Sequence, residues 1–343
     1  MDQKPWVSLI LVCHNDGKWL PRCVESIRAQ SIFDRLELIL VDDVSDNGSD
    51  KVGRDLIAGL PNSKFMATKT DSGYGASCNF GAEAARGKYL YFLNPDTWLE
   101  ADCVERLYET AERSRAGVVS GSVLQYDNDA LESVPAVGFD FCGNGIMAKG
   151  PLPEVLLLNA AFFFIRHDLF LKVGKMDGTY YLTSEETDLS WRVWIAGEKI
   201  VPATASKIHH RGAVGVNPTG GATVAEHRTS TRKRYYANRN RLVSIAKDCQ
   251  HVLLLLLIPS MMTVLAEGLV TLAATRDWSV ARGTSFDAIA GFFRMRRHIF
   301  EERRRIASFR CRSDWWMLRF FRLGFGRWHE VAKALKGGYP RFK

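Results

Sequence analysis

Acids and histidines stand where apolar runs end. Asp42-Asp43 follow the run 36–41, Asn94-Pro95-Asp96-Thr97 follow the run 89–93, and His209-His210 close an alternating stretch before Arg211-Gly212. Asp71 lies just past a short apolar segment, and Glu185-Glu186-Thr187-Asp188 open a helical pattern that continues to Arg192. Each group has a chemistry. A carboxylate at a strand end can accept hydrogen bonds from a base or ribose, or can complete a capped turn with Asn47 and Ser49. A carboxylate at the edge of a central strand suits a hard divalent cation that bridges two phosphates, although Asn-Pro-Asp is equally a good turn. Three acids in four residues offer a general base, or a salt-bridged helix face in which Asp188 pairs with Arg192 at i,i+4. Adjacent histidines after such a cluster point to a ligand or proton carrier.

The elements that must hold these groups follow from the patterning. Strands are predicted at 7–13, 36–41, 64–67 and 88–93, alternating with helices at 18–30, 49–60 and 74–86. That alternation means βαβ units and a largely parallel sheet covered on both faces, with ligands beyond the carboxyl ends of the strands. Further on come a Gly-rich stretch 138–150, an apolar run 160–165, an acidic helix 184–196 and a basic helix ending near Asp248. A functional boundary is expected in the Gly-, Thr- and Val-rich segment 212–225. No GxGxxG follows the first strand and no GxxxxGK[ST] is present, so dinucleotide and phosphate-loop folds fit poorly.

The composition of the 343 residues, 46% hydrophobic and 24% charged, is that of a folded chain and excludes a disordered or collagen-like one. Seven scattered cysteines without a CxxC pair argue against a disulfide scaffold or structural zinc and for a reducing compartment. The N-terminus lacks the basic start and long apolar region of a signal peptide, so a cytoplasmic protein is expected. Charge is uneven. From Arg276 onward there are 17 Lys and Arg against 6 Asp and Glu, a net of +11, whereas the rest carries 29 against 32. Such a tail fits nucleic acid or an anionic membrane surface.

In order along the chain, VSLILVCHND, ESIRAQS, ELILVDDVSDNGS, DSGYGASCNFGAEAARGKYLYFLNPDT and SEETDLSWRVWIAGEKIVPATASKIHHRG resemble family-2 glycosyltransferases, and among them bacterial rhamnosyltransferase-like members. The resemblance covers about residues 6–213 strongly and continues weakly through RYYANRNRLVSIAKD and RRRIASFRCRSD. It implies an α/β GT-A fold, a doubly wound mixed sheet of the nucleotide-diphospho-sugar transferase type. Residues 1–215 would form the catalytic domain, with a nucleotide-sugar half of about 1–98 and an acceptor half of about 99–215. Residues 216–343 would be a helical, basic, membrane-associating extension. By the same resemblance Asp43, with Asp42 beside it, would hold the base of the nucleotide, and Asp71, Asn15, Asn79 and Asn94 would contribute to nucleotide-sugar binding. Asp96 and His210 would hold Mg2+ or Mn2+. Glu186 falls on the catalytic-base position, with Glu185 and Asp188 in the same catalytic cluster.

Two departures from the family pattern stand out. Asn94 replaces the first acid of the metal motif, so it can reach a metal only through a neutral carbonyl, and the base is Glu rather than Asp. The Gln-x-x-Arg-Trp signature of processive synthases is also missing, since Gly324 stands before Arg327-Trp328 at that distance. The expected activity is therefore inverting transfer of one sugar, from dTDP-rhamnose or a UDP-sugar, to a lipid-linked or polysaccharide acceptor in cell-envelope glycan synthesis. The alternatives are a nucleotidylyltransferase, which would carry a Gly- and Lys/Arg-rich loop where His14-Asn15-Asp16-Gly17 stands, and a non-catalytic membrane-associated interaction protein on the same fold.

The segment 252–274 has 23 residues, enough to span a bilayer, but Pro259 and Glu267 interrupt it and both flanks are basic. Helices lying in the membrane interface are expected, with Arg294, Arg296, Arg297 and Arg303-Arg304-Arg305 and the tail tryptophans facing anionic headgroups of the inner membrane. A homo-oligomer interface through these helices is the other use for the apolar surface. No recognition helix or RNA-binding motif accompanies the charge, so nucleic acid is not an expected partner.

Overall fold

Three apolar runs near the N-terminus are buried on both faces, and they set the architecture. In a computed structural model, which describes residues 4–133, 136–142, 144–147, 152–156, 162–212, 228–322 and 341–342, these runs are β1 (Val7–Cys13), β2 (Leu36–Asp42) and β4 (Tyr89–Leu93). Every residue in the three is buried, as expected of central strands covered by helices on both sides. Between them lie α1 (Leu20–Arg28), α2 (Ser49–Ile57), β3 (Ser63–Ala67) and α3 (Tyr74–Glu83). Then follow β5 (Thr97–Leu99), α4 (Cys103–Ser114), β6 (Val118–Gln125), β7 (Leu131–Ser133), β8 (Ala136–Phe139), β9 (Gly145–Met147), β10 (Phe162–Arg166), α5 (His167–Lys172), α6 (Glu185–Ile195) and β11 (Ile200–His210).

The main sheet runs β3-β2-β1-β4-β10-β6-β11-β5, with β7 paired to β6. β3, β2, β1 and β4 are parallel, β10 is antiparallel to both β4 and β6, and β5 is antiparallel to β11. The sheet is therefore mixed, as the sequence implied. Because β1, β2 and β4 run the same way, His14–Asp16, Asp42-Asp43 and Asn94–Asp96 emerge at one edge.

Beyond the segment 213–227 the described chain is β12 (Arg228–Thr229), α7 (Thr231–Asp248), α8 (Leu257–Thr275), α9 (Trp278–Ala281), α10 (Asp287–Arg294), α11 (Arg296–Phe309), α12 (Asp314–Met317) and β13 (Arg341–Phe342). These helices are not a loose appendage. Ile245, Cys249, Leu253, Leu256, Ile306, Met317 and Phe320 share one hydrophobic cluster with Phe92, Phe163, Trp191 and Trp194 of the sheet and of α6. Of the boundary expected at 212–225, residues 213–225 lie outside the described residues, as do Gly324, Arg327 and Trp328. Among the described residues all seven cysteines are free, and five are buried.

Candidate active site

The strand edge gathers the nucleotide-binding candidates. Asp42 and Asp43 are both buried. Asp43 Oδ1 accepts the Thr68 hydroxyl at 2.7 Å, and Asp42 Oδ2 accepts the Ser45 amide at 3.1 Å. Asp42 Oδ1 is buried with no hydrogen-bond partner among the described residues, an acceptor suited to a ligand N–H or O–H. Asn15 occupies the left-handed region, φ 64°, and joins the two loops: its Oδ1 accepts the Asp46 amide and its main-chain carbonyl accepts from Asn47. Asn79 has a different employment. Its amide exchanges two hydrogen bonds with the main chain of Met176, at 2.8 and 3.0 Å, so it docks α3 onto that turn.

Asn94 and Asp96 form the next corner. Thr97 donates its hydroxyl to the Asn94 main-chain carbonyl at 2.6 Å, closing the turn, and the Arg211 amide donates to the Asp96 carbonyl at 2.9 Å. That second bond brings the end of β11 to the acid. Asp96 Oδ1 lies 3.5 Å from His210 Nε2, and His210 Nδ1 lies 3.1 Å from each carboxylate oxygen of Glu132 on β7. Burial pulls the His210 imidazole down, but Asp96 and Glu132 outweigh it and raise it to about 10. The Asp16 carboxyl is pushed up to about 6, by burial first and by the charge of Asp96 second. His209 points the other way. Its ring stacks on Trp98 at 3.6 Å, and its Nδ1 lies 3.1 Å from the Gln125 carbonyl oxygen, because successive strand residues face opposite sides.

Among the described residues no three His, Cys, Asp or Glu side chains converge as a ligand set. A divalent cation would therefore take Asp96 and His210 and complete its shell with phosphate oxygens and water. That division fits Mg2+ and Mn2+, which are commonly held by one or two protein ligands together with substrate phosphates. The negative field that Asp16 reports beside Asp96 favours a cation there.

The acidic cluster divides. Glu185 and Glu186 sit in the first turn of α6, where acids favour the helix dipole. Glu185 is buried, its Oε1 has no hydrogen-bond partner among the described residues, and burial and then the Glu186 charge push its carboxyl up to about 8. Glu186 keeps part of its surface exposed, and burial also raises it. The buried Cys78 thiol of α3 feels both Glu185 and Asp43, so α3 spans from the acidic turn of α6 to the strand edge that carries Asp43. Asp188 does not belong to the reacting set. It is inaccessible to solvent, bonded to Arg192 at 2.5 and 3.0 Å and to Lys247 Nζ at 2.7 Å. Lys247 also pairs with Asp177 at 2.5 Å, and His298 of α11 reaches Asp177 at 2.8 Å. Burial alone would raise Asp188; Arg192 and Lys247 hold it below the usual carboxylate range.

The loop before α6 is strained and is held from the C-terminal helices. Tyr181, Thr183 and Ser184 have φ of 65°, 66° and 72°, conformations that cost about 1–3 kcal/mol each in a non-glycine residue. The Asn240 amide of α7 donates to the carbonyls of Tyr180, Leu182 and Thr183 at 2.9–3.1 Å. Across the loop the Tyr74 amide donates to the Tyr181 carbonyl at 3.1 Å. Gly73, φ 83°, permits this approach, since a Cβ there would lie 2.3 Å from that carbonyl oxygen. Asp71 accepts the Tyr181 hydroxyl at 2.5 Å, and Arg232 of α7 donates to the same hydroxyl. Thr68 and Glu132 thus take part without being marked by any sequence motif, and Asn240 and Lys247 lie in the weakly resembling stretch RYYANRNRLVSIAKD, which singles out neither.

A mixed sheet of this order, with acids along the edge of its parallel half, is the GT-A arrangement. The solved structure of GalNAc-T7 with UDP, GalNAc and Mn2+ has the same fold: TM-score 0.64 at 16% identity, covering 99% of this chain and 59% of that one. Residues 8–174 match the model of Glycosyl transferase family 2. Glycosyltransferase GlyG of Streptococcus pneumoniae is 28% identical over 137 residues, 40% of this chain and 45% of its own length. The minor teichoic acid biosynthesis protein GgaB of Bacillus subtilis is 34% identical over 162 residues, 47% of this chain and 18% of its own. The chain thus spans less than half the length of either relative.

Proposed function

We propose that the chain is an inverting, non-processive glycosyltransferase. It moves one sugar from a nucleotide-diphospho-sugar, dTDP-rhamnose or a UDP-sugar, to a lipid-linked or polysaccharide acceptor of the cell envelope. The observation that carries this reading is the pairing of a cation-suited edge, Asp96 with His210, with a raised, part-exposed carboxylate, Glu186, on a separate helix. Asp43 and Asp42 receive the nucleotide. Glu186 takes the proton of the acceptor hydroxyl as its oxygen bonds to the anomeric carbon, while the bond from that carbon to the diphosphate oxygen breaks with its electron pair. A bound Mg2+ or Mn2+ would neutralise the charge gathering on the departing diphosphate. The names of GlyG and GgaB support a role in glycan or teichoic acid synthesis.

Asp96→Ala is expected to abolish the part of nucleotide affinity that depends on Mn2+ and to leave the melting temperature nearly unchanged. Calorimetric titration of nucleotide with and without Mn2+ checks it; a Mn2+ dependence equal to the wild type's would remove Asp96 from the metal site.

The enzyme is further proposed to work on the cytoplasmic membrane surface. Val252–Thr275, mean hydropathy 2.1, is long and apolar enough to cross a membrane. In the fold it turns Ser260, Val264, Gly268 and Thr271 inward and leaves Leu255, Ile258, Met262, Leu265 and Leu269 exposed, the latter at 60%. This spacing of three and four residues makes one apolar stripe, and Glu267 lies off it, paired with Arg234 at 3.0 Å. An apolar outer face of this kind suits a helix lying in the interface. Binding to anionic vesicles should weaken with salt yet persist, because charge is screened and apolar burial is not. Flotation across a salt series checks it: equal binding to neutral lipid at every salt concentration favours a span, and no binding favours an interface between copies.

A further inference from the structure

We infer that Glu132 is a positioning residue of the metal site, acting through His210. The inference rests on the proposed metal reading of Asp96 and His210. Glu132 lies on β7, which pairs with β6 in the main sheet, 78 residues from the histidine it meets. Both of its carboxylate oxygens stand 3.1 Å from His210 Nδ1, while Nε2 faces Asp96 at 3.5 Å. A carboxylate at one ring nitrogen orients the imidazole: Nδ1 keeps its proton, hydrogen-bonded to Glu132, and a cation beside Asp96 would take the place of the proton on Nε2. It also fixes the ring plane and makes the ligand nitrogen more basic, the arrangement by which carboxylate–histidine pairs tune metal affinity. Gly212 completes the contact, since a Cβ there would come within 3.0 Å of Glu132 Oε1, so the end of β11 closes directly against this carboxylate. The partners of β7, Val123 and Leu124, are apolar.

The inference assigns Glu132 to metal affinity and withholds from it any contact with the reacting atoms. Mn2+ titrated into the full chain, alone and with UDP, and followed by electron paramagnetic resonance, tests it. Glu132→Ala should weaken Mn2+ binding by about 10–100-fold. Glu132→Gln, whose carbonyl can still accept from Nδ1, should retain most of the affinity, and the melting temperatures of both should stay near that of the wild type. In an H210A background Glu132→Ala should have no further effect, which separates action through the imidazole from a general electrostatic loss. At saturating Mn2+ the kcat of Glu132→Ala should recover, a rescue that a folding defect would not give. Wild-type affinity in Glu132→Ala, or an undiminished effect without His210, overturns the role of Glu132 and leaves the metal site standing. Failure of the wild-type chain to bind Mn2+ overturns the metal reading, and this inference with it.

Discussion

Glu186→Gln is expected to lower sugar transfer by about 10²–10⁴-fold while donor affinity stays within a factor of a few. The change is nearly isosteric, keeps the helix N-terminus intact and removes only the ability to take a proton. Glu185→Gln should cost less, because Glu185 is the more buried of the two and turns toward Gly75, where a Cβ would lie 3.3 Å from its Cγ. The pH dependence has a definite sign. Burial raises both carboxyls, Glu185 to about 8, so activity should rise with pH through an apparent value above the usual carboxylate range. It should be lost as pH falls and the base takes up its proton. The two acids are neighbours, and the apparent value belongs to the pair. Single-turnover transfer with a fixed donor across a pH series measures both effects. A Glu186→Gln enzyme with wild-type turnover, alongside an inactive Glu185→Gln, would move the base by one residue.

Asp188→Ala is expected to destabilise the fold by about 3–5 kcal/mol, because Arg192 and Lys247 would lose the counter-ion they share in a site closed to solvent. Asp248 provides the contrast. Burial and then the Asp188 charge push its carboxyl well above the usual range, and neither of its side-chain oxygens has a hydrogen-bond partner among the described residues, so it carries no ion pair to lose. Asp248→Asn should therefore stay within about 1 kcal/mol of the wild type. Urea unfolding of the two variants at neutral pH decides it, and equal losses would mean that the charge pattern has been misassigned. The acid sensitivity follows from the same groups. Asp177 and Asp188 are held below their ordinary values, so their stabilisation is complete above about pH 4 and is lost as pH falls through the lowered values. The network joins α6 to α7 and α11, so disrupting it should also loosen the helix that carries Glu186.

The strand edge that carries the candidate residues was legible because they follow apolar runs that read as central strands. Apart from Ser8, Glu37 and the terminal Asp42, β1, β2 and β4 are apolar on both faces, and that pattern places their carboxyl ends, with Asp42, Asp43 and Asp96, at one edge. The family resemblance extended this to Glu186 and His210. It could not separate Asp188 from its neighbours, since three acids in one helical turn look alike until something packs against them. Helical rotation points Asp188 inward to Lys247, 59 residues away, and a lysine in a basic helix carries no mark of being buried. Asn79 was grouped with the nucleotide ligands, whereas its amide is occupied by the Met176 main chain.

By itself the sequence determined the class of fold, the order of the motifs and the edge at which the chemistry gathers, because apolar periodicity and strand-end acids are local properties. The tertiary structure decided which groups within each motif face one another. A register shift in β11 between Ala203 and Lys207 precedes the histidines, and the pairing beyond it places His210 opposite Thr97 and toward Asp96. A slip of one residue would exchange His210 with His209, now stacked on Trp98. Glu132 behind His210, Asn240 under the strained loop and Lys247 beneath α6 likewise come from distant parts of the chain. Their roles depend on distances that only packing sets, because a hydrogen bond or buried ion pair fixes geometry across space and leaves no periodicity in sequence.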